Sequence, residues 1–190
     1  MGRVVVTEFV SLDGVIEDPG GAEDFAHGGW SFKFDRGAEG DKFKLDETLA
    51  SEALLLGRVT YEGFAEAWPS RDGEFADKFN SMPKYVVSSQ LTDPEWTNST
   101  VVKGDLAEEV EKLKREHDGD IVVHGSAQLV NGLMEHGLVD EYRLMVFPVV
   151  LGSGKRLFAE RSDMTALRLA DTKPAGDAVI LILEPATAES

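Results

Sequence analysis

The stretch IVVHGSAQLVNGLM at residues 121–134 decides the fold class, because its pattern changes from strand to helix across one short turn. Its apolar start predicts a buried strand, and the Gly-Ser pair predicts the turn. Leu129, Leu133 and Met134 then recur at helical spacing until Gly137, which is predicted to be a left-handed helix cap. A buried strand that leads directly into a helix is typical of a parallel sheet.

The same alternation extends on both sides of this stretch. Strands are predicted at 4–10, 53–56, 84–88, 101–102 and 120–124, and helices at 41–51, from about 58 to before 68, and at 105–117. Toward the C-terminus the pattern predicts strands alone, at 141–150, 167–171 and 178–183. We therefore predict an α/β fold with a mostly parallel central sheet, helices on both faces and a C-terminal antiparallel hairpin. It is expected to form a single domain over 1–184, followed by a polar tail at 185–190.

Composition and net charge exclude or disfavour several kinds of site and partner. The chain has 190 residues, no cysteine, and 35 acidic against 19 basic residues, for a net charge of −16. The absence of cysteine excludes disulfides, thiolate zinc sites and a cysteine nucleophile. The negative charge disfavours nucleic acids and anionic membrane surfaces as partners. The N-terminal region lacks the pattern of a secretory leader, so we expect a cytoplasmic protein that binds a small molecule.

Two strand–helix junctions carry residues suited to binding an anion. Gly57-Arg58-Val59-Thr60 offers a glycine for close approach, a cation and a hydroxyl, and Gly125-Ser126-Ala127 offers small residues at a helix start. In open α/β sheets, ligands bind at the carboxyl ends of strands, where helix N-termini present free N–H groups. Two such junctions on neighbouring strands would suit the phosphates of a dinucleotide. A glycine turn with a serine cap explains the same residues.

Two further features each leave two interpretations open. Asp13, in the turn Ser11-Leu12-Asp13-Gly14, either positions a ligand or caps its own turn. Trp30, in the aromatic loop at 17–37, and Trp68 either form an apolar wall that binds a flat substrate ring or cover the sheet. His124 is expected to be a core histidine rather than a ligand-binding one.

Several common motifs are absent. LGSGKR at 151–156 resembles a phosphate-binding loop, but Val149 stands where that loop requires its first glycine. The chain has no G-x-G-x-x-G and no G-x-S-x-G. Its four histidines lack the spacing of metal ligands, so no metal site is predicted.

The order of the elements, together with four segments, resembles the dihydrofolate-reductase-like family. The segments are GRVTYEGF at 57–64, YVVSSQ at 85–90, IVVHGSAQLVNGLM at 121–134 and DEYRLMVFPVVLGSGKRLF at 140–158. The resemblance extends from Arg3 to Leu183 and is greatest to the C-terminal reductase domain of the riboflavin-biosynthesis deaminase–reductase. It implies an NADPH-dependent reductase that places the nicotinamide against an unsaturated heterocycle.

The resemblance also implies roles for individual residues. The turn that holds the cofactor's phosphates is matched by Gly57, Arg58 and Thr60, and the strand end near the adenosine by Ser88 and Ser89. The residues beneath the pyrophosphate are Gly125, Ser126, Ala127, Gln128 and Leu129. Thr7 and Asp13 border the nicotinamide and the substrate, and Asp13 is the candidate catalytic residue. Trp30 and Trp68 are the candidate substrate-binding residues.

Two departures from the family leave the substrate open. Dihydrofolate reductases bind the pterin with a carboxylate on the first helix, where this chain has Asp41, Asp46 and Glu47. Riboflavin-pathway reductases carry an Asp–Pro element after the second strand, where this chain reads TYEGFAEAWPS at 60–70.

The implied reaction is hydride transfer to a heterocycle or a carbonyl. It resembles that of a 5-amino-6-(5-phosphoribosylamino)uracil reductase or that of a dihydrofolate reductase. The alternatives are an NADPH-binding protein without significant turnover and a non-enzymatic interaction module on the same fold. Relatives commonly pair through sheet edges or helices, so a homodimer is expected.

Overall fold

The computed structural model describes residues 1–160 and 163–186, along which strands and helices alternate. The strands are β1 (Arg3–Ser11), β2 (Ser51–Gly57), β3 (Lys84–Val87), β4 (Ser99–Val102), β5 (Asp120–Val123), β6 (Glu141–Phe147), β7 (Leu167–Ala175) and β8 (Ala178–Pro185). The helices are α1 (Gly37–Ala50), α2 (Arg58–Ala67), α3 (Glu74–Ser81), α4 (Leu106–Glu116) and α5 (Ala127–Glu135). A short 3₁₀ helix spans Trp30–Lys33. Residues 187–190 of the predicted polar tail lie outside the described residues.

The strands form one sheet in the order β4-β3-β2-β5-β1-β6-β8-β7. Each neighbouring pair from β4 to β6 is parallel. β8 runs antiparallel to both β6 and β7, so β7 and β8 form a hairpin at one edge of the sheet. The predicted fold class, a mostly parallel sheet with a C-terminal antiparallel hairpin, is therefore confirmed.

Helices cover both faces of the sheet, and the alternation of side chains along β1 shows how. Val4 and Val6 belong to an apolar cluster that also contains Val110 of α4 and Leu133 of α5. Val5 points to the opposite face, where apolar side chains of α2 and α3 cover β2 and β3. A third apolar cluster packs the loop before α1 and its 3₁₀ helix against β6 and β8.

The sheet opens beside β1 at the carboxyl ends of the strands. β1 pairs with β5 over Arg3–Val6, whereas it pairs with β6 over Val5–Ser11. The ladder between β1 and β5 thus ends well before the ladder between β1 and β6. We call the resulting opening, between Thr7–Ser11 and the residues His124–Ser126 that follow β5, the cleft. The carboxyl ends of β2 and β3 lie along the same edge, because these strands are parallel to β5.

The helix prediction was incomplete at two places. α1 begins at Gly37, which has a φ of 64°, rather than near residue 41, and its first turn GAEG has the composition of a loop. α3 was missed because it has eight residues and few apolar positions to reveal a period. Predicted strand ends also shift: β6 stops at Phe147, and β7 continues to Ala175.

The longest helix, α1, has 14 residues. Among the described residues, no helix combines the length and the apolar character needed to cross a lipid bilayer.

Candidate functional site

The two strand–helix junctions meet at the cleft. The backbone N–H of Gly57 donates to the carbonyl of Gly125 over 3.2 Å, which joins the start of α2 to the turn before α5. A Cβ atom built on Gly57 would lie 2.6 Å from Oγ of Ser126, closer than side-chain atoms pack. Glycine at position 57 therefore lets the two helix N-termini approach each other. The structure brings together the two junctions selected from the sequence.

The N-termini of α2 and α5 lack the acidic residues found at the other helix starts. The first turns of α1, α3 and α4 each carry at least one carboxylate, whereas the first turns of α2 and α5 carry none. Carboxylates normally stabilise a helix start by countering its partial positive charge. In a chain with a net charge of −16, the two helix ends at the cleft are thus left able to attract an external anion.

The polar side chains at the junctions differ in the partners that they already bind. Arg58 pairs with Glu62 one turn along α2, at 2.9 and 3.0 Å, on the protein surface. Oγ1 of Thr60 lies 3.1 Å from the Cβ position of Gly125. Ser126 is the N-cap of α5 and accepts the N–H of residue 129 at 3.4 Å. The serine-cap interpretation of this turn is therefore confirmed, and it leaves the helix N-terminus at the cleft.

The other residues assigned to the cofactor by resemblance are partly accessible. Oγ of Ser88 accepts the N–H groups of residues 90 and 91 at 3.1 and 3.0 Å, so it stabilises its own turn after β3. Ser89 and Gln128 are exposed, and Ala127 is half-buried. Leu129, a residue of α5, packs into the apolar core. Their contacts with a cofactor stay predictions.

Glu8 is a candidate that the sequence analysis missed. It lies in β1 with 9% of its surface exposed, and its Oε1 atom has no hydrogen-bond partner among the described residues. A Cβ atom built on Gly125 would lie 3.3 Å from that oxygen. Burial raises the pKa of Glu8 to about 8, which makes it a neutral acid at pH 7. The signal was present in the sequence, because Glu8 is the one charged residue within VVVTEFV at 4–10.

A buried ion-pair network fixes α1 against β1 and β6. Lys44 donates to Oε1 of Glu47 at 2.6 Å and to Oγ1 of Thr7 at 2.8 Å, and the Thr7 hydroxyl donates to the same carboxylate oxygen at 3.0 Å. Arg143 lies 3.5 Å from the other oxygen of Glu47. Burial raises the pKa of Glu47, but the charges around it, chiefly Lys44, outweigh burial and the net shift is downward. Glu47 is therefore ionised.

This network answers two questions that the sequence left open. Thr7, predicted to border the nicotinamide, is 2% exposed and its hydroxyl is engaged inside the network. Of the three α1 carboxylates considered from the sequence, Glu47 faces the sheet, while Asp41 and Asp46 are exposed and pair with Arg36 and with Lys42. A ligand that used a carboxylate of α1 would thus have to displace partners of Glu47.

His124 follows β5 and packs among aromatic side chains. Its ring centroid lies 5.8 Å from that of Phe64 and 5.4 Å from that of Phe79. Burial, with a smaller contribution from Lys44, lowers the pKa of His124 to about 3. The imidazole is therefore neutral at pH 7, and its packing agrees with the prediction of a core histidine.

Asp13 joins two loops at the mouth of the cleft. Its carboxylate accepts the hydroxyl of Ser11 at 2.6 Å and the N–H groups of Leu151 and Gly152 at 3.1 and 2.8 Å. The hydrogen bond from Ser11, followed by those from the two amides, lowers the pKa of Asp13 to about 2. The carboxylate is thus ionised and already holds three donors. The catalytic role stays a prediction, and this geometry supports a role in positioning the loops.

The two candidate substrate-binding tryptophans occupy different surroundings. Trp30 is 1% exposed, donates its indole N–H to the carbonyl of Glu17 at 2.8 Å, and packs edge-on against Phe147. This position fits the interpretation that the aromatic loop covers the sheet. Trp68 is half-buried at the end of α2 and stacks on Phe79, with Arg71 over its ring at 4.5 Å.

A surface groove of about 640 Å³ lies away from the cleft, between α2, α3 and residues 95–97. It adjoins the start of β3, since Thr97 beside it accepts a hydrogen bond from Lys84. Glu66 and Glu95 line it, which disfavours an anionic ligand. The groove and the cleft are therefore distinct places.

Comparison with known proteins matches the chain to one family along most of its length. The model of the RibD C-terminal domain matches residues 3–181. The uncharacterized protein YyaP of Bacillus subtilis (strain 168) is 30% identical over 187 residues, covering 95% of this chain and 93% of YyaP. The uncharacterized protein YwjB of the same organism is 33% identical over 179 residues, covering 94% of this chain and 95% of YwjB.

Solved structures share the fold at lower sequence identity. A protein of Shewanella sp. PV-4, assigned provisionally to riboflavin biosynthesis, superposes with a TM-score of 0.76 at 21% identity, over 96% of this chain and 98% of that one. RibD from Acinetobacter baumannii (form 1) superposes with a TM-score of 0.68 at 15% identity, over 98% of this chain. The match spans 59% of the length of that RibD chain.

Proposed function

Because this chain belongs to the RibD C-terminal domain family, whose fold and reductase character match the site just described, we propose that it is an NADPH-dependent reductase. The proposed reaction is hydride transfer to an unsaturated heterocycle or a carbonyl. The observation that carries the proposal is the contact between two helix N-termini, at Gly57 and Ser126, that carry no carboxylate in a strongly acidic chain.

The junctions fit the phosphates of a dinucleotide on physical grounds. Two helix ends present N–H groups at the same edge of the sheet, and each carries the partial positive charge of its helix. Thr60 and Ser126 add hydroxyl groups beside Gly125. Gly57 and Gly125 keep side chains out of the contact, so that the backbone itself is what a phosphate would meet.

The preference for NADPH over NADH is supported by residues at the ends of β2 and β3. Arg58 is a basic side chain beside the helix end, and its exposed pair with Glu62 exchanges readily with another anion. Ser89 is exposed at the end of the neighbouring strand, where a 2′-phosphate would add its charge. The two strands are adjacent in the sheet.

The chemistry that the cofactor supplies when bound is a hydride from carbon 4 of its reduced nicotinamide. The protein's part is to hold the cleft in one shape. The Lys44–Glu47–Thr7 network fixes α1 against β1, and Asp13 fixes the loops at the mouth. Preorganised walls of this kind keep reacting atoms aligned and hold water away from them.

The substrate class is proposed from what the site offers. In place of an Asp–Pro element, residues 60–70 form most of α2 and its end, which favours a substrate other than the ribose-phosphate pyrimidine. Glu47 is engaged by Lys44 and Thr7, which weakens the case for a pterin. A flat heterocycle or a carbonyl compound without a required anionic group fits these two observations.

The test is NADPH oxidation with purified protein and probes of three kinds: the aminouracil of riboflavin biosynthesis, dihydrofolate, and a small α-diketone. We expect at least one probe to be reduced with loss of NADPH absorbance, and we expect the rate with the diketone to exceed the rate with dihydrofolate. Binding of NADPH without reduction of any probe would favour an NADPH-binding protein without turnover. Absence of binding would favour an interaction module.

A further inference from the structure

We propose that Glu8 donates the proton that accompanies hydride transfer in the cleft. The inference deepens the proposed reductase function and rests on it. Glu8 is the side chain that combines three properties: it is nine-tenths buried, its Oε1 has no hydrogen-bond partner among the described residues, and that oxygen lies beside Gly125, on the β1 side of the contact between Gly57 and Ser126.

The position of Glu8 follows from the ladders of β1. Val6 is the last residue of β1 that pairs with β5, so Glu8 stands where the sheet has just opened. Its Oε1 comes within 3.3 Å of the Cβ position of Gly125, and Oγ1 of Thr60 approaches the same point to 3.1 Å. The backbone of Gly125 therefore lies directly beside the carboxyl oxygen of Glu8, with no side chain between them.

The charged groups around Glu8 act in opposite directions. Lys44 of α1 favours the carboxylate, whereas Glu23, in the loop between β1 and α1, opposes it. The partial positive charges of the α2 and α5 N-termini also favour the carboxylate. Burial outweighs these attractions and raises the pKa to about 8, so Glu8 carries a proton at pH 7.

Other acid–base groups near the cleft are unsuited to the role. Asp13 has a pKa near 2 and three donors on its carboxylate. Glu47 is ionised and bound by Lys44. His124 is neutral, with a pKa near 3. Among these four groups, Glu8 is the one that has both a proton to give at pH 7 and an oxygen that is not already bonded.

The reduction is balanced with Glu8 as the acid. The hydride forms a new C–H bond on the carbon of a C=N or C=O group, and the electron pair of the double bond moves to the nitrogen or oxygen. That atom takes the proton of Glu8 and becomes N–H or O–H. The dihydronicotinamide is oxidised by two electrons, the substrate is reduced by two, and the Glu8 carboxylate regains a proton from solvent.

The first arm of the test measures the proton directly, without turnover. Infrared spectra of the wild type, Glu8→Gln and the exposed control Asp46→Asn are compared across pH. The wild type and Asp46→Asn are expected to lose a protonated-carboxyl band as the pH rises through about 8, and Glu8→Gln is expected to lack that band. Titration of this band near the ordinary glutamate pKa, or its persistence in Glu8→Gln, would overturn the proposal.

The second arm distinguishes two negative results: that Glu8 is not the proton donor, and that the protein is not an NADPH-dependent reductase. Calorimetry with NADPH is expected to give Glu8→Gln an affinity within about threefold of the wild type, because the amide is isosteric with the neutral acid. Single-turnover NADPH oxidation, with whichever probe the wild type reduces, is expected to slow by at least about 100-fold in Glu8→Gln and to stay unchanged in Asp46→Asn.

The outcomes of the second arm are distinct. An unchanged rate in Glu8→Gln contradicts the role of Glu8 while the reductase function stands. A wild type that binds no NADPH, or that reduces no probe, removes the reductase function and the role of Glu8 with it. Wild-type oxidation that fails to slow as the pH rises through about 8 also contradicts the proposal, because the acid would then be another group.

Discussion

Gly57 is the residue at which the two helix N-termini touch, so its side-chain volume can be tested directly. Gly57→Ala would place a methyl group 2.6 Å from Oγ of Ser126 and 3.1 Å from its backbone nitrogen. We expect a loss of about 1–3 kcal/mol in the free energy of unfolding, since the overlap involves backbone. NADPH affinity is expected to fall by at least about tenfold as the helix ends separate, a change of about 1.4 kcal/mol in binding free energy.

The matched control is Gly63→Ala on the same helix. A Cβ atom at Gly63 meets nothing within 4 Å, so this change should stabilise the protein by about 0.5–1 kcal/mol through helix propensity alone. Urea denaturation and calorimetry with NADPH measure both quantities. Equal behaviour of the two variants would mean that the contact at Gly57 has no role in the site.

Asp13 gives a second residue-scale prediction. Asp13→Ala removes a carboxylate that holds the hydroxyl of Ser11 and the N–H groups of Leu151 and Gly152. We expect faster hydrogen exchange in the loops at 12–16 and 149–153 and a lower melting temperature, with some turnover retained. Turnover abolished in a variant of unchanged melting temperature would instead support a catalytic role for Asp13.

At the scale of elements, Lys84 secures the start of β3 against α3. It is fully buried, and its ammonium donates to the carbonyls of Asn80, Met82 and Thr97, each at 2.9 Å. Lys84→Met would leave these acceptors without their donor, at an expected cost of about 2–4 kcal/mol in unfolding free energy. Chemical denaturation of Lys84→Met against Lys112→Met, an exposed lysine of α4, measures the difference. Equal stabilities of Lys84→Met and Lys112→Met would contradict a contribution of these three hydrogen bonds to the stability of the fold.

The turn after β5 contributes a pH dependence through His124. Its folded-state pKa of about 3 lies below the ordinary value of 6.5, so the unfolded chain binds a proton that the folded protein does not. The contribution of His124 is therefore fully present above about pH 6.5 and is lost as the pH falls toward 3, at up to about 1.4 kcal/mol per pH unit. Denaturation at several pH values should show a shallower loss in His124→Gln than in the wild type.

The control for this prediction is His136→Gln, which removes an exposed histidine at the end of α5. Its unfolding free energy should follow that of the wild type across the same pH range. If His124→Gln also follows the wild type, the neutral imidazole of His124 does not contribute to the acid sensitivity.

The elements found from sequence were those with long apolar patterns. β1, β2 and β5 contain the apolar runs 4–6, 53–56 and 121–123, and α4 and α5 have apolar residues at helical spacing, so both types were predicted close to their actual bounds. α3 was missed because it is short, and a residue outside the helix helps to hold it, as Phe79 stacks on Trp68. The glycine-rich start of α1 packs against Ala175 of β7, a contact that no local pattern reveals.

The candidate site was predicted in part for a related reason. Helix starts with glycine and hydroxyl residues are visible in sequence, and the structure does bring Gly57 and Gly125 together. The burial of Trp30 and the donors held by Asp13 depend on segments distant in sequence, so a local pattern could not reveal them. Glu8 was visible as a charge inside an apolar strand, but its unpartnered oxygen required the structure.

For the whole molecule, homodimer formation stays a prediction that sedimentation can test. β7 forms one edge of the sheet and carries Arg168, Lys173 and Pro174. Charged residues and proline on an edge strand oppose pairing with another sheet. A dimer, if found by sedimentation velocity, is therefore expected to leave β7 exposed, and Lys173→Glu should not dissociate it.

The central claim is that the cleft binds NADPH between the N-termini of α2 and α5. Calorimetric titration of the wild-type protein with NADPH and, separately, with NADH at moderate salt tests it most directly. The account predicts a single site per chain for NADPH and at least about tenfold weaker binding of NADH, a difference of about 1.4 kcal/mol. Absence of heat from both nucleotides would contradict the account, because neither dinucleotide would then bind at the helix ends at Gly57 and Ser126.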